Sequence, residues 1–167
     1  MGMAWAGTRG IFYSDQDSRL ELFPKGTRFI VDTLEMDSTA AETAGTMLKH
    51  PVREKEVLFE RILAEDVTLG YIYRAHERGK VELMDFAVAL DTLGTVQRVL
   101  LTVYRENIGG EVGSKRFMIQ FKGKTAASAL ELHRDVDGIS GATLSSRAIT
   151  LGVRKAVCFW KLKYAKT

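Results

Sequence analysis

The stretch Leu83-Met84-Asp85-Phe86-Ala87-Val88-Ala89-Leu90, then Asp91-Thr92-Leu93-Gly94, then Val96 to Tyr104, carries the clearest structural signal in the chain. Side chains of a strand alternate between two faces. Met84, Phe86, Val88 and Leu90 therefore share one face, and Asp85, Ala87 and Ala89 the other. The second run places Val99, Leu101 and Val103 together. A connection as short as Asp91–Gly94 joins antiparallel neighbours, because a parallel pair needs a crossover of about a dozen residues or more. Upstream, Leu69, Tyr71 and Tyr73 alternate through a strand over Leu69–Ala75, and Val57–Leu63 is rich in β-formers. Glu77-Arg78-Gly79-Lys80 reads as the turn between strands. One antiparallel sheet is expected.

Helices flank it. A short one is expected from Ser18 to Phe23, stopped by Pro24 and Gly26. Thr39-Ala40-Ala41-Glu42 has capping-box spacing and predicts a helix to about Lys49, with Pro51 beyond. Ile108 to Lys115 reads as a glycine-bearing loop, Thr125 to His133 as a short helix with Thr125 as cap, and a long helix starts near Thr143. On that helix Ile149, Val153, Ala156 and Trp160 form one apolar stripe, beside a second of Leu144, Ala148, Leu151, Cys158 and Leu162. Arg147, Thr150, Arg154 and Lys161 are expected to face water, and Lys155 to snorkel outward. A helix, several antiparallel strands, then helices give an α+β fold rather than a doubly wound sheet. Residues 1–26 read as an arm, 27–65 as a helix-and-strand extension, and 66–163 as the body of one domain.

Composition narrows the function. With 167 residues and 46% hydrophobic content the chain is long enough for one core, and it has no repeat or low-complexity stretch. Its 24 basic and 21 acidic residues leave +3, too weak a charge to argue for nucleic acid. No run approaches the ~20 apolar residues that cross a bilayer. Ala4-Trp5-Ala6 before Gly7 resembles the end of a secretory signal, though no charged or apolar region precedes it. His50, His76 and His133 fall on separate elements without ligand spacing, so no metal site is expected. The lone Cys158 has no histidine partner and reads as a buried hydrophobe. Gly123-Lys124-Thr125 lacks the earlier glycine of a phosphate-binding loop, where Met118 stands, and leaves Lys124 solvated or loosely anion-facing. Gly109-Gly110 and Gly113 do not make a dinucleotide fingerprint, and no Gly-x-Ser-x-Gly elbow occurs. No acid–base pair marks a self-contained catalyst, so no catalytic residue is assigned.

The remaining motif is Asp137-Gly138-Ile139-Ser140-Gly141-Ala142-Thr143-Leu144-Ser145-Ser146. It brings hydroxyls and small residues to the start of the long helix, where Ser140 or Thr143 can cap and free amides favour an anion. Read on spacing alone, a helix cap with a glycine turn before it explains the stretch better than an anion site does.

Asp137–Thr143 resembles the flavinylation motif of the FMN-binding domain family, which includes covalently flavinylated subunits of the Rnf complex and of the sodium-translocating NADH:quinone reductase. That motif reads Asp, small, any, Ser or Thr, Gly, Ala, Thr, and every position matches. Two further stretches resemble the family: Arg116-Phe117-Met118-Ile119-Gln120-Phe121-Lys122-Gly123-Lys124, and the strands from Leu69 to Val103 that begin at Gly70-Tyr71. The sequence departs from it at Glu106-Asn107-Ile108-Gly109-Gly110-Glu111-Val112-Gly113, where the family often has Glu-Thr-Pro-Gly-Leu-Gly. The resemblance implies an FMN-binding domain over 66–163, with FMN joined through a phosphoester to Thr143 by a flavin transferase. It implies Asp137, Ser140, Gly141, Ala142, Leu144 and Ser145 around the phosphate, and Gly110 and Glu111 near the flavin ring. An extracytoplasmic, periplasmic electron carrier follows, membrane-anchored in its full-length form and partnered by membrane or extracytoplasmic redox proteins. A sensing module of a membrane-associated regulator and an electron-input partner of a separate reductase are the alternatives.

Overall fold

The structure, a computed structural model, describes residues 9–106 and 110–165. The elements run β1 (Gly10–Ile11), α1 (Asp15–Leu22), β2 (Arg28–Glu35), α2 (Ser38–Leu48), β3 (Glu56–Ala64), β4 (Val67–Arg78), β5 (Leu83–Leu90) and β6 (Val96–Tyr104). A 3₁₀ turn at Gly110–Gly113, α3 (Lys115–Met118), a second 3₁₀ turn at Ile119–Phe121 and α4 (Thr143–Tyr164) complete the chain. The six strands lie in the order β1-β6-β5-β4-β3-β2, and every neighbouring pair is antiparallel. This is the α+β architecture expected of the sequence, as one domain.

Alternation in β5 is kept: Met84, Phe86, Val88 and Leu90 enter the main core, whereas Ala87 belongs to a smaller cluster with Ile62 and Ile72. In β6 the expected face is altered. Register shifts opposite Asp85/Phe86 and Ala89/Leu90 insert extra residues, so Tyr104 is buried in place of Val103. Such bulges re-aim every side chain beyond them. Asp91 stabilises the connection, its carboxylate accepting from the amides of Leu93 and Thr95, both at 2.9 Å.

α4 crosses the sheet over β4 and β5 and α2 packs on it. Gly152 permits the close approach, since a Cβ there would lie 2.3 Å from the Phe86 ring and 3.1 Å from the Ala75 methyl. The stripe of Ile149, Val153, Ala156 and Trp160 is buried as expected. Three other expectations for this helix fail. Thr150 is buried and donates to the Ser146 carbonyl (2.7 Å); Leu144 is 47% exposed; Arg154 is half-buried and donates to the Met47 carbonyl. α2 covers the side of α4 that isolated periodicity assigns to water. On the opposite sheet face, Arg19 of α1 and Arg74 of β4 both bond Glu60, each with a contact of 2.6 Å.

Other local readings also change. Ser14 caps α1, so that helix starts before Ser18, and Asp37 rather than Thr39 caps α2, accepting from the Ala40 amide at 2.8 Å. β1 and β2 have no counterpart in the sequence reading. Thr125–His133 is not helical. Asp135 takes the amides of Leu130 and Glu131, and Leu130 and His133 have φ of 48° and 65°, so turns replace the helix. Lys124 is tied to Asp135 at 3.0 Å rather than solvated, and this bond and the two amides overcome burial to hold that carboxyl below its ordinary value. The expected loop at Ile108–Lys115 contains the first 3₁₀ turn and leads directly into α3; Ile108 and Gly109 lie outside the described residues.

Candidate functional site

The site begins where α4 begins. Ala142 occupies the cap position with φ −130°, ψ 34°, and supplies no side-chain hydrogen bond. The first amide bonded back is that of Ser146, to the Ala142 carbonyl at 2.9 Å. The amides of Thr143, Leu144 and Ser145 have no acceptor among the described residues, so the positive end of a 22-residue helix stays open. Neither Ser140 nor Thr143 caps it, contrary to the sequence expectation. Instead the Ser146 hydroxyl staples the turn, donating to the Ala142 carbonyl (2.9 Å) and accepting from the Ile139 amide (3.1 Å).

Gly141 sits in the turn at φ +79°, which disfavours residues with a side chain. Gln120 holds the other end: its carbonyl accepts from the Asp137 amide at 2.8 Å, and its amide donates to the Asp137 carbonyl at 3.1 Å. The Asp137 and Ser140 side chains are exposed, as is Thr143, whereas Ser145 is buried. Gly141–Ser145 form one wall of a cleft of about 550 Å³; Arg9, Lys80, Val81, Glu82, Arg105 and Glu106 form the other.

Glu106 is the residue that the sequence reading missed. It is 9% exposed, and its Oε1 accepts from the amides of Val81 (2.8 Å) and Glu82 (3.1 Å). A side chain at Gly79 would meet both this carboxylate (2.7 Å) and the Ser145 hydroxyl (3.4 Å), so Gly79 clears the floor of the cleft. The only sequence signal for Glu106 is its place at the head of the divergent glycine loop. Burial pushes the Tyr104 hydroxyl above its ordinary pKa, with a Ser145 hydrogen bond acting the other way. Glu111 is exposed in the first 3₁₀ turn and is not among the described residues that line the cleft.

Lys155 does not snorkel. Its ammonium lies 2.9 Å from Glu54 and 2.7 Å from Glu77, with a side chain only 10% exposed. Burial works against all three charges. The two carboxylates nevertheless raise the Lys155 pKa, Lys155 and nearby backbone amides together outweigh burial at Glu54, and burial wins at Glu77, which is raised. Cys158 is buried with its thiol pushed up to about 11, which removes it as a nucleophile at neutral pH. Among the described residues no cluster of histidines, cysteines and carboxylates suits a metal ion.

Residues 79–158 match the family described as the FMN-binding domain. That stretch is an FMN-binding domain. It takes in both walls of the cleft apart from Arg9, and the whole of Asp137–Thr143. No curated protein matches the chain. Among solved structures the fold resembles a component of the Na(+)-translocating NADH-quinone reductase from Parabacteroides distasonis, with a TM-score of 0.58 and 16% identity over 95% of this chain and 88% of that one. The likeness extends beyond the FMN-binding domain, to the N-terminal strands and helices.

Proposed function

We propose that this protein is an extracytoplasmic electron carrier with FMN joined to Thr143 by a phosphoester. The observation that carries the reading is the exposed Thr143 at the uncapped start of α4, opening on the 550 Å³ cleft inside the FMN-binding domain. The residues present fit the cofactor. Three free amides face a phosphate position at a helix N-terminus, which stabilises a negative charge by roughly 0.3–1 kcal/mol. Gly141 and Ala142 leave room beside the hydroxyl, and Val81 and Leu144 offer apolar surface to a ring. Bound FMN supplies the redox chemistry, and the protein sets its position and potential.

A flavin transferase, with FAD as donor, exchanges the Thr143 hydroxyl proton for the FMN phosphoryl group and releases AMP. The electron partners are membrane or extracytoplasmic redox proteins, and a tether serves best where lost FMN is not replaced. Among the described residues no helix is long and apolar enough to cross a membrane. The test is intact mass after co-production with a flavin transferase. A gain of one FMN less one water is expected, absent in Thr143→Ala; an adduct that persists in that variant overturns the assignment. Reversible bleaching of the attached flavin under reductant and air then tests the carrier role.

A further inference from the structure

A second groove, of about 670 Å³, runs along the outer edge of β6 between Gln97–Leu101 and the segment Gly113–Lys122. Ile119 contributes the exposed apolar surface, with Val99, Leu101 and Met118 nearly buried behind it, and the cations lining it are Arg98, Lys115, Arg116 and Lys122, with no carboxylate among the described lining residues. Arg98 is engaged by Glu21 at 2.7 Å. Lys115, Arg116 and Lys122 are exposed and pair with no described carboxylate. Ile119, 63% exposed, stands between them.

The floor of the groove is an unfinished sheet edge. On its outer side β6 is bonded at Val96, through Gly123 and Lys124, and from Thr102 onward, through Phe12, Tyr13 and β1. Among the described residues nothing pairs with the backbone of Gln97–Leu101 on that side. An open edge is a template for another strand, and this one spans about 17 Å at ~3.4 Å per residue.

We propose that this groove takes an extended, acidic segment of a partner protein. The segment adds to β6 through its backbone, and its carboxylates meet Lys115, Arg116 and Lys122. Main-chain pairing supplies affinity, and the side-chain charges supply selectivity and a fast encounter. A flat anionic bilayer meets the rim cations but not an edge at the bottom of a groove, so concavity favours a peptide over a lipid surface. The proposal is independent of the flavin reading.

A fluorescein-labelled octapeptide of alternating glutamate and valine, titrated with the full chain and read by anisotropy, tests it. Saturable binding is expected. The triple variant Lys115→Glu, Arg116→Glu, Lys122→Glu should weaken it by ~10-fold or more, as should raising salt from about 0.15 M to about 0.5 M. The same peptide N-methylated at every residue should lose binding, because neither of its edges offers donors. Circular dichroism checks that the triple variant folds, and Lys122→Glu alone serves if it does not. Absent binding, equal binding by the charge-reversed protein, or equal binding of the N-methylated peptide overturns the proposal. So does sedimentation of the chain with phosphatidylglycerol vesicles through the same cations when the peptide does not compete.

Discussion

Glu106 and Glu111 differ in what each would do to a flavin held in the cleft as proposed, because their surroundings differ. Glu106 is nearly buried in the cleft wall, while Glu111 is exposed and outside the lining. A negative neighbour penalises added electron density, strongly at low dielectric and weakly through water and salt. Glu106→Gln keeps an amide oxygen for Val81 and Glu82 but removes the charge, so the midpoint potential of the flavinylated protein should rise. Glu111→Gln should leave it nearly unchanged. Redox titration of both variants against wild type checks this; a shift confined to Glu111→Gln would return the loop to the ring-contacting role that its glycines suggest. Which glutamate mattered was not legible in the sequence, because both stand in the same divergent loop.

At the scale of elements, the contact of α4 with the sheet is set by Gly152. Alanine favours a helix over glycine by about 1 kcal/mol, which predicts stabilisation from propensity alone. The overlap with Phe86 and Ala75 acts against it, and overpacking of this kind costs typically ~1–3 kcal/mol. Gly152→Ala should therefore lower the urea midpoint, with an unchanged slope, despite its better propensity. A higher midpoint would show that the helix shifts outward freely. The same packing explains why Thr150 and Lys155 departed from expectation. Helical periodicity identifies a face, but α2, Glu54 and Glu77 decide whether that face meets water.

Across the whole molecule, acid stability follows from buried carboxylates. Glu54, Glu60, Asp85 and Asp135 each overcome burial through hydrogen bonds to cations or amides and titrate below their ordinary values of 4.5 and 3.8. Their stabilisation is fully present above those ordinary values and is lost as pH falls through the lower folded ones. Glu77, raised mainly by burial, has the opposite sign: its contribution is full below 4.5 and is lost as pH rises through its raised value. Four groups against one predict that thermal midpoints fall steadily below about pH 4, and that Glu60→Gln, which removes the partner of Arg19 and Arg74, flattens that fall. Midpoints independent of pH between about 3 and 7 would contradict it.

The antiparallel pairing of β5 with β6, the alternation of β5, the buried stripe of α4 and the Asp137–Thr143 turn before it were all determined by the sequence itself, because each rests on local periodicity, a short connection or small residues at fixed spacing. Tertiary structure alone decided the rest. β1 and β2 acquire their pairing only from Tyr104 and Val103 on one edge and from β3 on the other. Gln120, Ser146 and Glu106 reach the site through bonds to backbone groups up to 25 positions away. The turns at Thr125–His133 replaced a helix because the Asp135 carboxylate, held in place by Lys124, accepts from the amides of Leu130 and Glu131. Local pattern sets which face of an element is apolar; long-range hydrogen bonds and bulges set what that face meets.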